Sequence, residues 1–116
     1  MFKFTTLYRQ VDDPNAVDTF FSQTHLPLAE QLIGLRKSEV SRIGGKPGGE
    51  SRFYLMYELY FDSQDAYRRA MVSEVGIQLI EALKPWDEAR IVTWFYAESF
   101  EEEANIRPRD SQPDQT

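Results

Sequence analysis

The chain has 116 residues, a mass of 13.6 kDa and a formal net charge of −6, and this length fits one domain. The absence of cysteine excludes disulfide scaffolds, cysteine-based zinc sites, iron–sulfur clusters and thiol catalysis. His25 is the only histidine, which excludes a site of several imidazole ligands within one chain. The negative charge argues against nucleic acid and anionic membranes as partners.

Aromatic residues make up 14% of the chain, which is a large share for so short a domain. A domain of this size buries only about 60–68% of the surface that its unfolded chain exposes. A second subunit would cover the remainder. The first residues, Met1 to Thr5, lack the apolar run of a signal peptide, and no stretch approaches the length of a membrane span. We therefore expect a cytoplasmic protein.

The first half of the chain predicts a strand followed by a helical region. Residues 2–9 alternate and are rich in Phe, Thr and Tyr, which is typical of a strand. Asp13 and Pro14 suit the start of a helix that extends to about Thr24. Pro27 predicts an interruption, because the residue before proline avoids the helical region. A second helical piece is expected over 27–32, with Gly34 as its left-handed cap.

The second half predicts a hairpin, two helical pieces and a last strand. Strands are expected over 35–43 and 51–61, joined by a glycine-rich turn over 44–49. Ser63 and Ser73 suit the N-caps of two helical pieces, the second of which Pro85 should end. The last strand is expected over 90–99. The domain then occupies residues 1–103, and the polar, proline-containing residues 104–116 predict a disordered tail.

The resulting order is β-α-β-β-α-β, the ferredoxin-like arrangement of the α+β class, with a four-stranded antiparallel sheet and helices on one face. Neither the third nor the fourth strand has a purely polar side, so both faces of the sheet are expected to be covered. Helices would cover one face. The sheet of a second subunit would cover the other, giving a homodimeric α+β barrel.

Two other functions, phosphate binding and RNA recognition, match the sequence less well. The glycine-rich turn Gly44–Gly49 lacks the Gly-Lys-Ser/Thr ending of a phosphate-binding loop, and a strand follows it. RNA-recognition domains share the same element order and display strand aromatics. The third strand lacks the glycine of that signature, and the charge of −6 also disfavours RNA.

His25 is the first candidate for chemistry. It continues a helical spacing of apolar residues and would point towards the sheet. A histidine there would act as a general base or as a hydrogen-bond donor to a ligand. The alternative is a buried histidine that is bonded to a backbone carbonyl or a tyrosine and has only a structural role.

The strand tyrosines and one carboxylate are further candidates. Tyr8, Tyr57 and Tyr60 would orient a ligand through their hydroxyls and supply apolar walls through their rings, or they would simply pack at the core or dimer interface. Glu58 lies in the middle of an apolar strand. A carboxylate there must either form an ion pair with a cation or have a raised pKa. It is either a proton acceptor or the partner of an arginine, such as Arg9, Arg42 or Arg90.

Two segments carry a family resemblance. The segment from Phe20 to Leu35, which contains His25-Leu26-Pro27-Leu28 and Gly34-Leu35, resembles the hallmark of EthD-like proteins. The run Tyr57-Glu58-Leu59-Tyr60-Phe61-Asp62-Ser63 is similar to the third strand and second helix of that family. The resemblance covers about residues 2–100.

The resemblance implies a dimeric α+β barrel and a role in ether degradation of the kind after which the family is named, beside an oxidising partner system. Relatives include cofactor-independent enzymes, so no metal and no cofactor is expected. His25 falls on the histidine position of the family, and the expected ligand is a small, hydrophobic, oxygen-bearing compound bound between sheet and helices. His25 would be catalytic if the protein is an enzyme. The ligand-binding residues would be Tyr8, Phe21, Leu28, Tyr57, Glu58 and Tyr60. The alternative is a non-catalytic accessory or carrier protein.

Overall fold

The computed structural model describes residues 1–104 and contains one four-stranded antiparallel sheet with the strand order β2-β3-β1-β4. The strands are β1 (Phe2–Arg9), β2 (Lys37–Arg42), β3 (Phe53–Phe61) and β4 (Val92–Glu98). The predicted β-α-β-β-α-β order and the ferredoxin-like fold are confirmed. The sheet is open. No helix within the described residues combines the length and the apolar character needed to cross a membrane.

Within residues 1–104, four α-helices and one π-helical segment form the second layer. They are α1 (Pro14–Phe20), the π-helical segment (Phe21–His25), α2 (Leu26–Ala29), α3 (Gln64–Val72) and α4 (Glu74–Glu88). The Ser63 side chain accepts a hydrogen bond from the backbone N–H of Ala66, and the Ser73 side chain accepts one from Gly76. Both predicted serine caps are therefore confirmed. Gly34 has φ 80°, the left-handed conformation expected of it.

The two predicted proline interruptions are wrong. Helical backbone passes through Leu26 and Pro27 without a break, by way of the π-helical segment, and α4 continues through Pro85 to Glu88. A proline inside a helix removes one backbone hydrogen bond and crowds the preceding turn. Burial of side chains before and after each proline outweighs that local cost, as with His25 before Pro27 and Ala29 after it.

The two faces of the sheet differ in what covers them. On the helix face, Tyr8, Leu55 and Tyr57 are completely or almost completely buried with the helices against them. The opposite face, called the open face below, carries no helix among residues 1–104. It displays alternate residues of the paired strands, which include Lys3, Thr5, Leu7, Met56, Glu58, Tyr60 and Phe95.

The predicted tail over residues 104–116 lies outside the described residues, except for Ala104. Before that point, the chain leaves β4 at Glu98 and runs without regular structure from Ser99 to Ala104. The folded unit therefore consists of a sheet, a helical layer on one side of it and a short polar extension.

Candidate functional site

Four side chains from three elements meet between the sheet and the helical layer. Tyr8 comes from the end of β1, Tyr57 from the middle of β3, and Phe21 and His25 from the π-helical segment. These four residues are called the inner site below. All four were predicted from the sequence as site residues, and all are at most 8% exposed.

The π-helical segment positions His25 in this site. The backbone N–H of Leu26 donates to the carbonyl of Phe21, so the turn that contains His25 is one residue wider than an α-helical turn. Val17, Phe21 and His25 remain on the buried face, and the next fully buried residue is Ala29, with Leu28 only half-buried. Such widened turns occur frequently at functional sites.

A second local irregularity lies beside the site. The pairing of β1 with β3 shifts register between Tyr8 and Arg9, so that Tyr8 pairs with Leu55 and Arg9 with Phe53. The residue left between these partners, Tyr54, donates its hydroxyl proton to the carboxylate of Asp18 in α1 at 2.9 Å. β-Bulges commonly redirect side chains near functional sites. Here the bulge links the sheet to the helix that leads into His25.

The imidazole of His25 is held by one hydrogen bond and by ring contacts. Its Nδ1 lies 2.6 Å from the Tyr8 hydroxyl oxygen. The Tyr57 ring is perpendicular to the imidazole, with the ring centroids 5.0 Å apart and an interplanar angle of 88°. Phe21 is edge-on to both the imidazole and Tyr57. The imidazole therefore has little freedom to rotate, because rings contact it and a hydrogen bond fixes one edge.

Two polar atoms of the inner site have no protein partner. His25 Nε2 and the Tyr57 hydroxyl oxygen are buried and form no hydrogen bond with any group in residues 1–104. A buried polar group without a partner costs about 1–3 kcal/mol. Two such atoms on adjacent rings require an explanation, and a bound molecule with polar atoms would supply one.

Burial keeps all three titratable groups neutral. It lowers the pKa of His25 to about 3 and raises the pKa of Tyr8 well above its usual range. Burial also raises the pKa of Tyr57. The Ser38 hydroxyl lies close enough to oppose this rise in part, but it does not meet the Tyr57 hydroxyl in hydrogen-bond geometry. At neutral pH the inner site therefore contains a neutral imidazole and two protonated phenols, which suits neutral hydrogen bonding better than charge.

Two aromatic residues outside the predicted set form a wall of the site. Trp86 contacts Phe20 with ring centroids 4.7 Å apart and Tyr8 with centroids 6.3 Å apart. Trp86 also lines an apolar surface cavity of about 230 Å³ together with Pro85, Ala89 and Ile91. The sequence prediction leaves Trp86 out because Pro85 indicates that the helix ends before it. Its helical spacing from the buried residues Leu79 and Leu83 is the signal that indicates an inward position.

Two of the predicted site residues lie elsewhere. Glu58 and Tyr60 are on the open face, because successive side chains of β3 alternate between the two faces and Tyr57 is on the helix face. Glu58 pairs with Lys3 at 2.6 Å, rather than with an arginine, and Tyr60 donates to Glu39 at 3.0 Å. They therefore belong to a surface separated from His25 by the thickness of the sheet.

Leu28, the remaining predicted site residue, is half-buried and packs at the margin of the core.

Within residues 1–104, no group of three or more His, Asp or Glu side chains is placed to hold a metal ion. What the inner site offers chemically is one imidazole and two phenol hydroxyls among apolar rings. That combination can bind and orient an oxygen atom of a hydrophobic molecule.

Comparison with known proteins places this architecture in a family. The EthD domain profile matches residues 12–90, which include most of the inner site and both helical regions. The chain belongs to the EthD domain family. A crystal structure of an EthD family protein from Bacillus halodurans is 35% identical to this EthD domain and superimposes with a TM-score of 0.80, covering 86% of this chain and 99% of the other.

More distant similarities concern sequence or fold alone. An 11.0 kDa protein of Rhodococcus erythropolis, encoded in the thcB-thcC intergenic region, is 28% identical over 76 residues, which are 66% of this chain and 74% of the relative. SnoaB, a cofactor-independent oxygenase of Streptomyces nogalater, is 13% identical with a TM-score of 0.58, over 91% and 97% of the two chains. A dimeric ferredoxin-like protein of Bacteroides fragilis is 18% identical with a TM-score of 0.55, over 84% and 95%.

Proposed function

We propose that this EthD domain binds or transforms a small hydrophobic compound that carries an oxygen atom, in a cytoplasmic oxidation pathway of the ether-degradation type. The observation that supports this proposal is a pair of buried atoms, His25 Nε2 and the Tyr57 hydroxyl oxygen, that have no hydrogen-bond partner in the described part of the chain. An oxygen-bearing ligand would satisfy both atoms, while Phe21 and the tyrosine rings would surround its apolar part. Membership of the EthD family and the fold shared with an oxygenase agree with this context.

A carrier or accessory protein for a partner oxidase system is the second candidate. The lowered pKa of His25, about 3, favours it. A histidine with so low a pKa is a poor proton acceptor at neutral pH, and the best general bases have a pKa near the working pH. A neutral site would hold a hydrophobic molecule without reacting with it.

The two candidates separate in one experiment with acetophenone, a small ketone, as the probe. Binding would be followed by NMR, and proton transfer by exchange of the methyl hydrogens of acetophenone with deuterium in the solvent. A proton-transferring enzyme exchanges them, and His25→Ala abolishes exchange while binding persists. A carrier binds acetophenone without exchange, and His25→Ala loses binding. Gln23→Ala, an exposed position on the same helical segment, serves as the control. Absence of any binding would contradict both candidates.

We also propose that a second copy of this chain covers the open face. Phe95 is 44% exposed there, and a second copy would remove this apolar ring from water. The face carries the Lys3–Glu58 ion pair and stays close to neutral, so two copies would not repel each other. The dimeric ferredoxin-like neighbour supports this arrangement. Light scattering should give twice the chain mass of 13.6 kDa, and a monomer at micromolar concentration would refute the proposal.

A further inference from the structure

We propose that Tyr8 holds His25 in the Nε2–H tautomer, so that His25 and Tyr57 present two hydrogen-bond donors and the inner site takes a ligand with an acceptor oxygen. Ketones, ethers, enolates and phenolates carry such an oxygen. Tyr8 is then a positioning residue, since it acts on the ligand through His25. The ligand part of this inference rests on the proposed function, whereas the tautomer is a property of the protein alone.

The hydrogen bond between Tyr8 and His25 allows two arrangements of protons. In the first, the Tyr8 hydroxyl donates to Nδ1, and the imidazole proton is on Nε2. In the second, Nδ1–H donates to the Tyr8 oxygen, and Nε2 carries only a lone pair. A distance of 2.6 Å between oxygen and nitrogen accommodates one proton, so the two arrangements exclude each other.

The two arrangements differ in how many groups they leave without partners. The Tyr8 hydroxyl forms its one side-chain hydrogen bond within residues 1–104 with His25, and it is completely buried. If Tyr8 donates, only the Nε2–H of His25 lacks a partner. If His25 donates, the Tyr8 proton has no acceptor and Nε2 has no donor. The first arrangement leaves fewer buried polar groups unsatisfied and is therefore favoured.

The His25 imidazole and the Tyr8 phenol must both be neutral for these two arrangements to be the only ones, and burial keeps them neutral. The lowered pKa of His25 prevents an imidazolium with both nitrogens protonated, and the raised pKa of Tyr8 prevents a phenolate acceptor. The histidine therefore has one proton to offer and offers it at Nε2. This makes His25 a hydrogen-bond donor to the ligand and not the base that accepts a proton from it.

Tyr57 supplies the second donor next to the first. Its ring contacts the imidazole, and its buried hydroxyl has no partner in the described part of the chain. An acceptor oxygen has two lone pairs and can receive hydrogen bonds from both groups. A ligand oxygen that carries negative charge would gain more, because hydrogen bonds to charged acceptors are roughly twice as strong. Ammonium compounds would find no anionic acceptor here, since both titratable rings are neutral and only the Tyr57 oxygen could accept a hydrogen bond.

NMR of the single histidine tests the tautomer without any ligand. With ¹⁵N-labelled histidine, every imidazole signal belongs to His25. We expect a protonated Nε2 and an unprotonated Nδ1 at pH 7. Tyr8→Phe removes the donor and should produce a mixture of tautomers, while Tyr60→Phe, on the open face, should leave the spectrum unchanged. A protonated Nδ1 in the wild type would overturn the inference. Circular dichroism confirms that each variant is folded.

Acetophenone and ethylbenzene test the ligand class, because they are similar in size and only the first has an acceptor oxygen. Acetophenone should shift the Nε2 resonance, lower its own carbonyl stretching frequency and bind more tightly than ethylbenzene. Tyr57→Phe should reduce that preference by roughly 2- to 10-fold, the value of one neutral hydrogen bond. Binding of acetophenone without a change at Nε2 would overturn this inference and leave the proposed function standing. If neither probe binds, the proposed function itself fails, whatever the tautomer.

Discussion

Burial of the only histidine predicts a specific loss of stability in mild acid. Folding lowers the pKa of His25 from 6.5 to about 3. Between these two pH values the unfolded chain binds a proton at this residue and the folded chain does not. The free energy of unfolding therefore falls as the pH falls, because protonation favours the unfolded state. The part of the free energy of unfolding that depends on neutral His25 is fully present above pH 6.5. It decreases below that pH and is lost near pH 3.

The magnitude follows from the difference between the two pKa values. One unit of pKa corresponds to about 1.4 kcal/mol. At pH 5 the solution is about 1.5 pH units below the pKa of His25 in the unfolded chain. Lowering the pH from 7 to 5 should therefore reduce the free energy of unfolding by about 2 kcal/mol through His25 alone. Most carboxylates remain ionised in this range, since their ordinary pKa values are about 3.9 to 4.3. The effect is large compared with a typical domain stability of about 5–15 kcal/mol.

Urea unfolding at pH 7, 6 and 5 measures this loss, with tryptophan fluorescence as the signal and the protein concentration held constant. His25→Gln provides the comparison, because glutamine is polar and does not titrate. The wild type should lose about 2 kcal/mol more than this variant between pH 7 and 5. The exposed variant Gln23→Ala should follow the wild type. Equal losses in wild type and His25→Gln, or a histidine that titrates near pH 6.5 in the folded protein, would refute the reasoning.

Three further predictions concern packing, assembly and helix capping. Gly76→Ala should lower the free energy of unfolding by about 1–3 kcal/mol in urea, because the added Cβ would lie 2.6 Å from Met71 Cα. Gly44→Ala should leave it unchanged, because no atom lies within 4 Å of its added Cβ. Equal losses in the two variants would contradict this prediction. Phe95→Glu on the open face should give monomers in light scattering, whereas Ile77→Glu on the exposed side of α4 should leave the dimer intact. A Phe95→Glu variant that stays dimeric would argue against the proposed interface. Ser63→Ala should lower stability by about 1 kcal/mol through loss of the α3 cap, and no change would show that water replaces it.

Much of the fold was predictable because its signals are local. The bounds of β1 agree with the alternating residues 2–9, and the two serine caps agree with the starts of α3 and α4. Caps and alternation depend on residues next to each other in the chain. The prolines show the limit of such signals, because Pro27 and Pro85 lie within continuous helical backbone. A local penalty predicts a break, but packing against the sheet decides whether the helix continues.

The members of the site were partly predictable, and their grouping was not. Alternation along β3 placed Tyr57 and Glu58 on opposite faces, but it did not indicate which face meets the helices. The structure puts Tyr57 next to His25 and leaves Glu58 with Lys3 on the open face. The contact of Trp86 with Tyr8 was hidden for the same reason, since it depends on how α4 packs against the sheet.

The sequence by itself determined the order of the elements, the absence of cysteine chemistry and the dependence of any imidazole chemistry on one residue, His25. These properties follow from composition and from neighbours along the chain. Only the tertiary structure decided that Tyr8, His25 and Tyr57 meet and that Tyr8 bonds to Nδ1. It also decided that two of their polar atoms are buried without a hydrogen-bond partner among residues 1–104. Strand register and helix packing bring these distant residues together, and the hydrogen bonds made or left unmade there set the chemistry of the site.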